Sequence, residues 1–163
     1  MGKLSIFNFV SLDGYYKDIN NKIDWHQHGG REEEKFSEEG AQSDSILVLG
    51  RVTYEMMANF WPTPMAHDMM PVVAEGMNKS EKVVFSKTLK KADWNNTRIM
   101  SGNIVKEMKK LKTGKKDLTI LGSGTIVTQF AEEGLIDTYV FMVDPIVIGK
   151  GTPIFKGLTH QLN

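Results

Sequence analysis

Cysteine is absent from the 163 residues, which removes disulfides, thiol nucleophiles and cysteine-ligated zinc or iron–sulfur centres from consideration. An excess of one charge is absent too. Twenty basic side chains face twenty acidic ones, so nothing favours a nucleic acid or an anionic membrane as partner. Apolar runs stop at about five residues, far below the roughly twenty that cross a bilayer. The start, Met1 to Ser5, enters a strand-like pattern with no apolar leader, so a cytoplasmic location is expected. No internal repeat and no low-complexity tract occurs. Arginine is scarce, three against seventeen lysines, which gives each guanidinium added interest as a fork for anions. What is present is ordinary globular composition. Apolar residues make up 40% and charged ones 25%, enough to exclude wholesale disorder, and the length suits a single domain over 1–163.

The pattern along the chain alternates. Leu4 to Val10 is strand-like and ends in the turn Ser11-Leu12-Asp13-Gly14. Tyr15 to Arg31 reads as a long polar and aromatic loop, followed by a helix from Arg31 to about Gln42 whose early acids suit its positive end. Ser45 to Leu49 is a continuous apolar run, the mark of a strand covered on both faces. A helix through Val52, Met56 and Met57 follows it, and then a proline-rich stretch with a short helix from Ala66 or Pro71. Strands are expected at Lys82 to Ser86, Thr97 to Met100 and Leu118 to Leu121, with an amphipathic helix on Ile104, Met108 and Leu111. A further helix covers Thr125 to Glu133, and a longer strand runs from Ile136 to Val143, breaks at Pro145 and resumes from Ile146 to Ile148. Strand and helix in alternation give a mostly parallel α/β sheet flanked by helices, a three-layer α/β/α arrangement.

Ligands of such sheets sit beyond the carboxyl ends of the strands, and three junctions there carry suitable chemistry. Gly50-Arg51-Val52-Thr53 joins a flexible turn, a permanent cation and a hydroxyl to a helix start; an ordinary turn with a surface arginine is the alternative. Gly122-Ser123-Gly124-Thr125 resembles the opening of a dinucleotide fingerprint, but Val127 stands where a third glycine belongs. Ser86-Lys87-Thr88 offers two hydroxyls and an ammonium to a phosphate, or is simply a solvated turn. Asp13 sits where the first strand opens at the carboxyl edge and is the first candidate proton donor; its other reading is a turn-shaping residue beside Gly14. Trp25, Phe60 and Trp61 either wall a pocket for a planar heterocycle or anchor loops, and Met65, Met69 and Met70 either line that pocket or fill core. His26-x-His28 with Asp24 lacks a third ligand at helical spacing, and no metal site is expected.

Taken together, FVSLDGYY (9–16), LGRVTYE (49–55), KVVFSKTL (82–89), LTILGSGTIVTQFAEEGLID (118–137) and DPIVIGKGTPIF (144–155) resemble the dihydrofolate reductase-like family. They are most similar to the reductase domain of bifunctional riboflavin-biosynthesis enzymes and its stand-alone bacterial relatives. The resemblance implies the dihydrofolate reductase-like fold and an NADPH-dependent reductase. Gly50, Arg51 and Thr53 would then hold cofactor phosphates, and Ser86 and Lys87 the 2′-phosphate. Gly122, Ser123, Gly124 and Thr125 would face the pyrophosphate and nicotinamide, and Val10 and Ser11 would line the nicotinamide pocket. By analogy with the carboxylate that dihydrofolate reductases carry on their first helix, Glu34 is the second candidate acid, with Glu32 and Glu33 competing. Trp25 and Trp61 would contact substrate, and Lys150 is a candidate donor to a substrate phosphate. The best-defined activity in the family is the reduction of 5-amino-6-(5-phosphoribosylamino)uracil. Dihydrofolate reductase proper and a catalytically inactive nucleotide-binding module are the alternatives. A small-molecule substrate and a homodimer are implied as partners. Relatives carry paired glycines where Ser123 stands. They also continue into a final strand or hairpin, so either a short version of the fold or one without its edge strand is expected.

Overall fold

A computed structural model describes residues 1–27, 29–122 and 124–162. Its strands are β1 (Leu4–Ser11), β2 (Tyr15–Asp18), β3 (Ile46–Gly50), β4 (Lys82–Phe85), β5 (Thr97–Met100), β6 (Leu118–Ile120), β7 (Thr138–Asp144) and β8 (Gly151–Pro153). The helices are α1 (Arg31–Gln42), α2 (Arg51–Phe60), α3 (Pro64–Met69), α4 (Pro71–Lys79), α5 (Ile104–Lys112) and α6 (Gly124–Glu132). Six strands form one sheet in the order β5-β4-β3-β6-β1-β7, and every neighbouring pair in it is parallel.

The topology follows from handedness. The chain moves outward from β1 to β5 through α1–α4, then returns through α5 and α6 to insert β6 and add β7. Right-handed crossovers in opposite directions put the two helix sets on opposite faces. The buried side chains sort accordingly. Met108, Ile126 and Phe130 pack with Ile6, Val48 and Val83 on one face, and Tyr54, Val73 and Met77 pack with Leu47, Leu49 and Val84 on the other. Alternate residues of β3 thus serve both layers, which is why its apolar run is unbroken. Each such side chain, fully buried, contributes roughly 1.5–3 kcal/mol.

The expected three-layer α/β/α sheet is therefore present, and the differences are local. The segment read as a long loop from Tyr15 contains β2, which pairs antiparallel with β8; four polar and aromatic residues carry no local signal for a partner so far along the chain. Residues 146–148 do not resume a strand. Ile146 instead accepts the Leu12 N–H at 2.9 Å, and the ladder restarts at β8. The proline-rich stretch holds two helices, each with proline in its first turn, and Thr63 caps the first by accepting the Ala66 N–H at 3.3 Å. Lys82, placed in β4 only by strand propensity, is wholly buried. Its ammonium donates to the carbonyls of Ser80 at 2.7 Å and Asn95 at 3.0 Å and lies 4.4 Å from the Trp94 ring centroid. Burial pushes it down to about 8. Among the described residues no helix is long and apolar enough to cross a membrane.

Candidate active site

Because all six strands are parallel, the turns after them share one edge of the sheet. The chain leaves β1 and β3 toward one face and β6, which lies between them, toward the other. That divergence opens a crevice beyond the strand ends. A cleft of about 340 Å³ reaches this edge at Thr53 and Gly122 and runs along the sheet face to Ser45 and Thr119 near the strand starts, and its lining includes Asn8, Trp25, Glu33 and Trp61.

The three turns singled out in the sequence lie side by side, since β4, β3 and β6 are neighbours. Gly50 pairs in register with Phe85, so Ser86 and Lys87 leave the sheet beside Arg51. The Gly50 N–H donates to the Gly122 carbonyl at 3.3 Å. Arg51 is exposed at the start of α2 and pairs with Glu55 at 3.2 Å, while Thr53 is buried and turned into the cleft. Ser86 accepts the N–H groups of Thr88 at 3.2 Å and Leu89 at 2.9 Å. Lys87 is exposed. Gly122 adopts φ +101, where a Cβ would stand 3.3 Å from Thr53 Oγ1. Ser123 lies outside the described residues. The Gly124 N–H, first in α6, donates to the Tyr16 hydroxyl at 3.1 Å, and Thr125 is exposed. Val10 is core.

The acids are arranged differently from the expectation. Asp13 is exposed. Its carboxylate accepts the Ser11 hydroxyl at 2.6 Å and the N–H groups of Ile148 at 3.2 Å and Gly149 at 2.8 Å. The Ser11 bond above all, with those backbone N–H groups, holds Asp13 below the usual carboxylate range. It fastens the 148–149 turn to the end of β1, and an acid so held is a poor proton donor. Ser11 is likewise committed, since its Oγ also accepts the Tyr15 N–H at 3.0 Å. Glu34 is exposed on α1, whereas Glu33 is buried and lines the cleft.

Glu33 meets a histidine. His26, buried and stacked on Phe9 at 3.8 Å between centroids, places Nε2 3.3 Å from Glu33 Oε1 and Nδ1 2.5 Å from Asp144 Oδ2. Glu33 Oε2 accepts the Gly29 N–H at 3.1 Å. One imidazole thus bridges a carboxylate on α1 and one at the end of β7. A neutral ring donates to only one of the two carboxylates, and only the imidazolium donates to both. His28, the other half of the weighed His-x-His pair, lies outside the described residues. Glu33, in the sequence only a competitor of Glu34, carries a signal of its own: Glu33, Phe36, Ser37 and Gly40, all lining the cleft, fall at i, i+3, i+4 and i+7, the buried stripe of a helix.

Trp25 and Trp61 both line the cleft, as nominated, and Lys150 is exposed in the turn before β8, outside its lining. Two buried polar atoms have no hydrogen-bond partner among the described residues, Asn8 Oδ1 and Trp25 Nε1. Both belong to residues that line this cleft. Orphaned polar atoms cost about 1–3 kcal/mol each.

The fold is that of dihydrofolate reductase. The chain superimposes on the enzyme from Enterococcus faecalis, solved with NADP(H), with a TM-score of 0.64 at 17% identity, covering 94% of this chain and 77% of that one. The chain belongs to the RibD C-terminal domain family, whose model matches residues 3–163. It is similar to a protein of Shewanella sp. PV-4 described as a riboflavin biosynthesis protein, with a TM-score of 0.72 and 26% identity over 99% of this chain and 87% of that one. The deaminase/reductase of Thermotoga maritima shares the fold at 13% identity and a TM-score of 0.64, this chain covering 49% of it and 98% of this chain aligning. The uncharacterized proteins YyaP and YwjB of Bacillus subtilis (strain 168) are 28% and 26% identical, over 94% and 98% of this chain and 80% and 86% of their own lengths. Family and structural likeness together support a reductase-type fold.

Proposed function

We propose that the protein is an NADPH-dependent reductase acting on a C=N or C=O bond of a small heterocyclic or carbonyl substrate. The observation that carries this reading is the adjacency of three turns on neighbouring strands, two of which give Thr53 and Gly122 to the lining of a cleft that also holds a buried acid–histidine pair. A nicotinamide cofactor fits the residues present. Gly122, with no Cβ, leaves a flat cradle beside Thr53, and the orphaned Asn8 Oδ1 lies 3.9 Å from where that Cβ would be, suited to an amide N–H.

The bound cofactor supplies hydride. The protein's own residues orient and protonate. Gly50, Arg51, Thr53, Gly122 and Gly124 would line the phosphate and nicotinamide path, with Val10, Ser11 and Thr125 at its margins. Ser86 and Lys87 would hold the 2′-phosphate; the Lys87 ammonium has no ion-pair partner among the described residues, so it is available to one. Trp25 and Trp61 would flank the substrate ring. Glu33, rather than Asp13 or Glu34, is the group to hand a proton to the atom next to the hydride acceptor, because it alone of the three is buried in the cleft wall. His26 acts through Glu33 as a positioning residue and proton link to Asp144.

Oxidation of NADPH in the presence of pterins, pyrimidines and quinones tests the activity, with Glu33→Gln and Glu34→Gln in parallel. The account expects kcat to fall by about 100-fold or more for Glu33→Gln and to stay within about twofold for Glu34→Gln. His26→Gln should alter the pH profile of kcat while leaving NADPH affinity unchanged. Equal effects at Glu33 and Glu34 would remove the assignment.

A further inference from the structure

β2 brings two neighbouring side chains, Tyr16 and Lys17, to the lining of the cleft. Successive residues of a regular strand point to opposite faces. Here the ladder to β8 slips: Tyr15 pairs with Pro153 and Lys17 with Thr152, leaving Tyr16 as the extra residue. Such a bulge re-aims a side chain, and the Lys17 ammonium folds back to 5.3 Å from the Tyr16 ring centroid. The ring itself is fixed. Tyr16 is buried, its hydroxyl accepts the Gly124 N–H at 3.1 Å, and a Cβ on Gly124 would stand 2.8 Å from the ring. The ammonium thus lies beside the ring that caps the start of α6, in a cleft it shares with Gly122 and Thr53. Its charge is not balanced. Lys17 is the one lysine or arginine among the described lining residues; Arg31 is exposed at the start of α1, and Arg51, also exposed, pairs with Glu55. Among the described residues no carboxylate pairs with Lys17, and burial alone lowers its pKa. Glu33, the one carboxylate of the lining, is met by His26 and the Gly29 N–H, and as the proton donor it carries no charge when the site is loaded.

Building on the reductase reading, we infer that Lys17 makes the site discriminate between the redox states of its cofactor, favouring NADPH over NADP⁺. The reduced nicotinamide ring is neutral and the oxidised ring carries a positive charge, while the rest of the two molecules is alike. A half-buried ammonium in the same cleft therefore opposes the oxidised form alone, and the positive end of α6 acts in the same sense. Unit charges about 10 Å apart at an effective dielectric of about 20 interact strongly enough to change affinity roughly tenfold, and salt reduces the effect. Lys17 in this way favours release of the spent cofactor and its replacement by the reduced one.

Calorimetric titration of the full chain with NADPH, NADP⁺ and adenosine 2′,5′-bisphosphate tests this, in the wild type, Lys17→Met and Lys17→Arg. The bisphosphate keeps the adenosine phosphates and lacks the nicotinamide, so it reports on the fold and the phosphate contacts. Lys17→Met keeps an apolar stem against the Tyr16 ring and removes the charge, whereas Lys17→Arg keeps the charge. The wild type should bind NADPH about fivefold or more tighter than NADP⁺. In Lys17→Met that ratio should shrink by about threefold or more, chiefly because NADP⁺ binds tighter. Lys17→Arg should hold the ratio within about twofold, and the bisphosphate affinity should stay unchanged in both variants. A ratio unmoved by Lys17→Met, a ratio lost equally in Lys17→Arg, or a bisphosphate affinity that shifts as much as that of NADP⁺ would overturn the inference. If neither NADPH nor NADP⁺ binds the wild type, the reductase reading fails and the inference falls with it. If both bind and Lys17→Met leaves their ratio unchanged, the inference fails alone.

Discussion

Replacing Gly122 by alanine perturbs the site where its geometry is tightest. The residue has φ +101, a region in which a Cβ costs about 1–2 kcal/mol. The new methyl would also sit 3.3 Å from Thr53 Oγ1, 3.7 Å from Thr53 Cγ2 and 3.9 Å from Asn8 Oδ1. It would fill the cradle proposed for the nicotinamide. For a chain of this size about 1 kcal/mol corresponds to 2–4 °C, so Tm should fall by roughly 2–8 °C. NADPH affinity should fall by about tenfold or more, equivalent to ~1.4 kcal/mol. Gly134→Ala is the control. Gly134 also has positive φ, at +60, but a Cβ there meets nothing within 4 Å and lies after α6, away from the cleft. It should lower Tm comparably and leave NADPH binding unchanged. Differential scanning fluorimetry with and without NADPH, together with equilibrium titration, reads both quantities. If Gly122→Ala lowers Tm without weakening NADPH binding more than Gly134→Ala does, Gly122 is a turn residue only.

Three further outcomes are expected. Lys82 has its pKa lowered from 10.5 to about 8 by burial, so between those values the unfolded chain holds a proton that the folded chain has released, and stability rises with pH; relative to Lys82→Met, the wild type should gain about 3 kcal/mol between pH 7 and pH 11 in urea titrations, and a flat difference would contradict the burial argument. Asp13 has a depressed pKa, so its hold on the 148–149 turn is present above the ordinary carboxylate range and is lost as pH falls through its lower folded value; amide exchange at Ile148 and Gly149 should accelerate only in acid for the wild type but already at neutral pH for Asp13→Asn. β7 is an edge strand with Tyr139 and Val143 exposed, which suits association through that edge; light scattering at micromolar concentration should give a dimer mass, and a monomer mass would remove the proposed homodimer.

The parts of the molecule legible in the sequence are those whose physics is local. The unbroken apolar run of β3 announces a strand covered on both faces, and the acid-rich start of α1 marks a helix whose bounds match the expected Arg31 to Gln42. The strand–turn–helix junctions at Gly50 and Gly122 are visible as glycines after apolar runs. What required the structure is long-range. The pairing of β2 with β8 depends on contacts across more than half of the chain, and the insertion of β6 between β3 and β1 is what makes the three turns neighbours. The analogy that puts Glu34 before Glu33 carries no helical phase, and Phe36, whose ring meets Phe7 at 4.7 Å between centroids, sets the phase that turns Glu33 inward. His26 could not be linked to Asp144, 118 residues later, by any local pattern. The sequence offers Asp13 as a turn-shaping residue beside Gly14, but the bonds to Ile148 and Gly149 by which it fastens a second turn come from the far end of the chain.

The central claim, that the clustered turns hold NADPH, is tested most directly by titrating NADPH and NADH against tryptophan fluorescence, in the wild type, Arg51→Ala and Lys87→Ala. The account predicts at least tenfold tighter binding of NADPH by the wild type, a preference largely erased by Lys87→Ala, and weaker binding of both nucleotides by Arg51→Ala. Binding of neither nucleotide, or equal affinity for the two in the wild type, would contradict it.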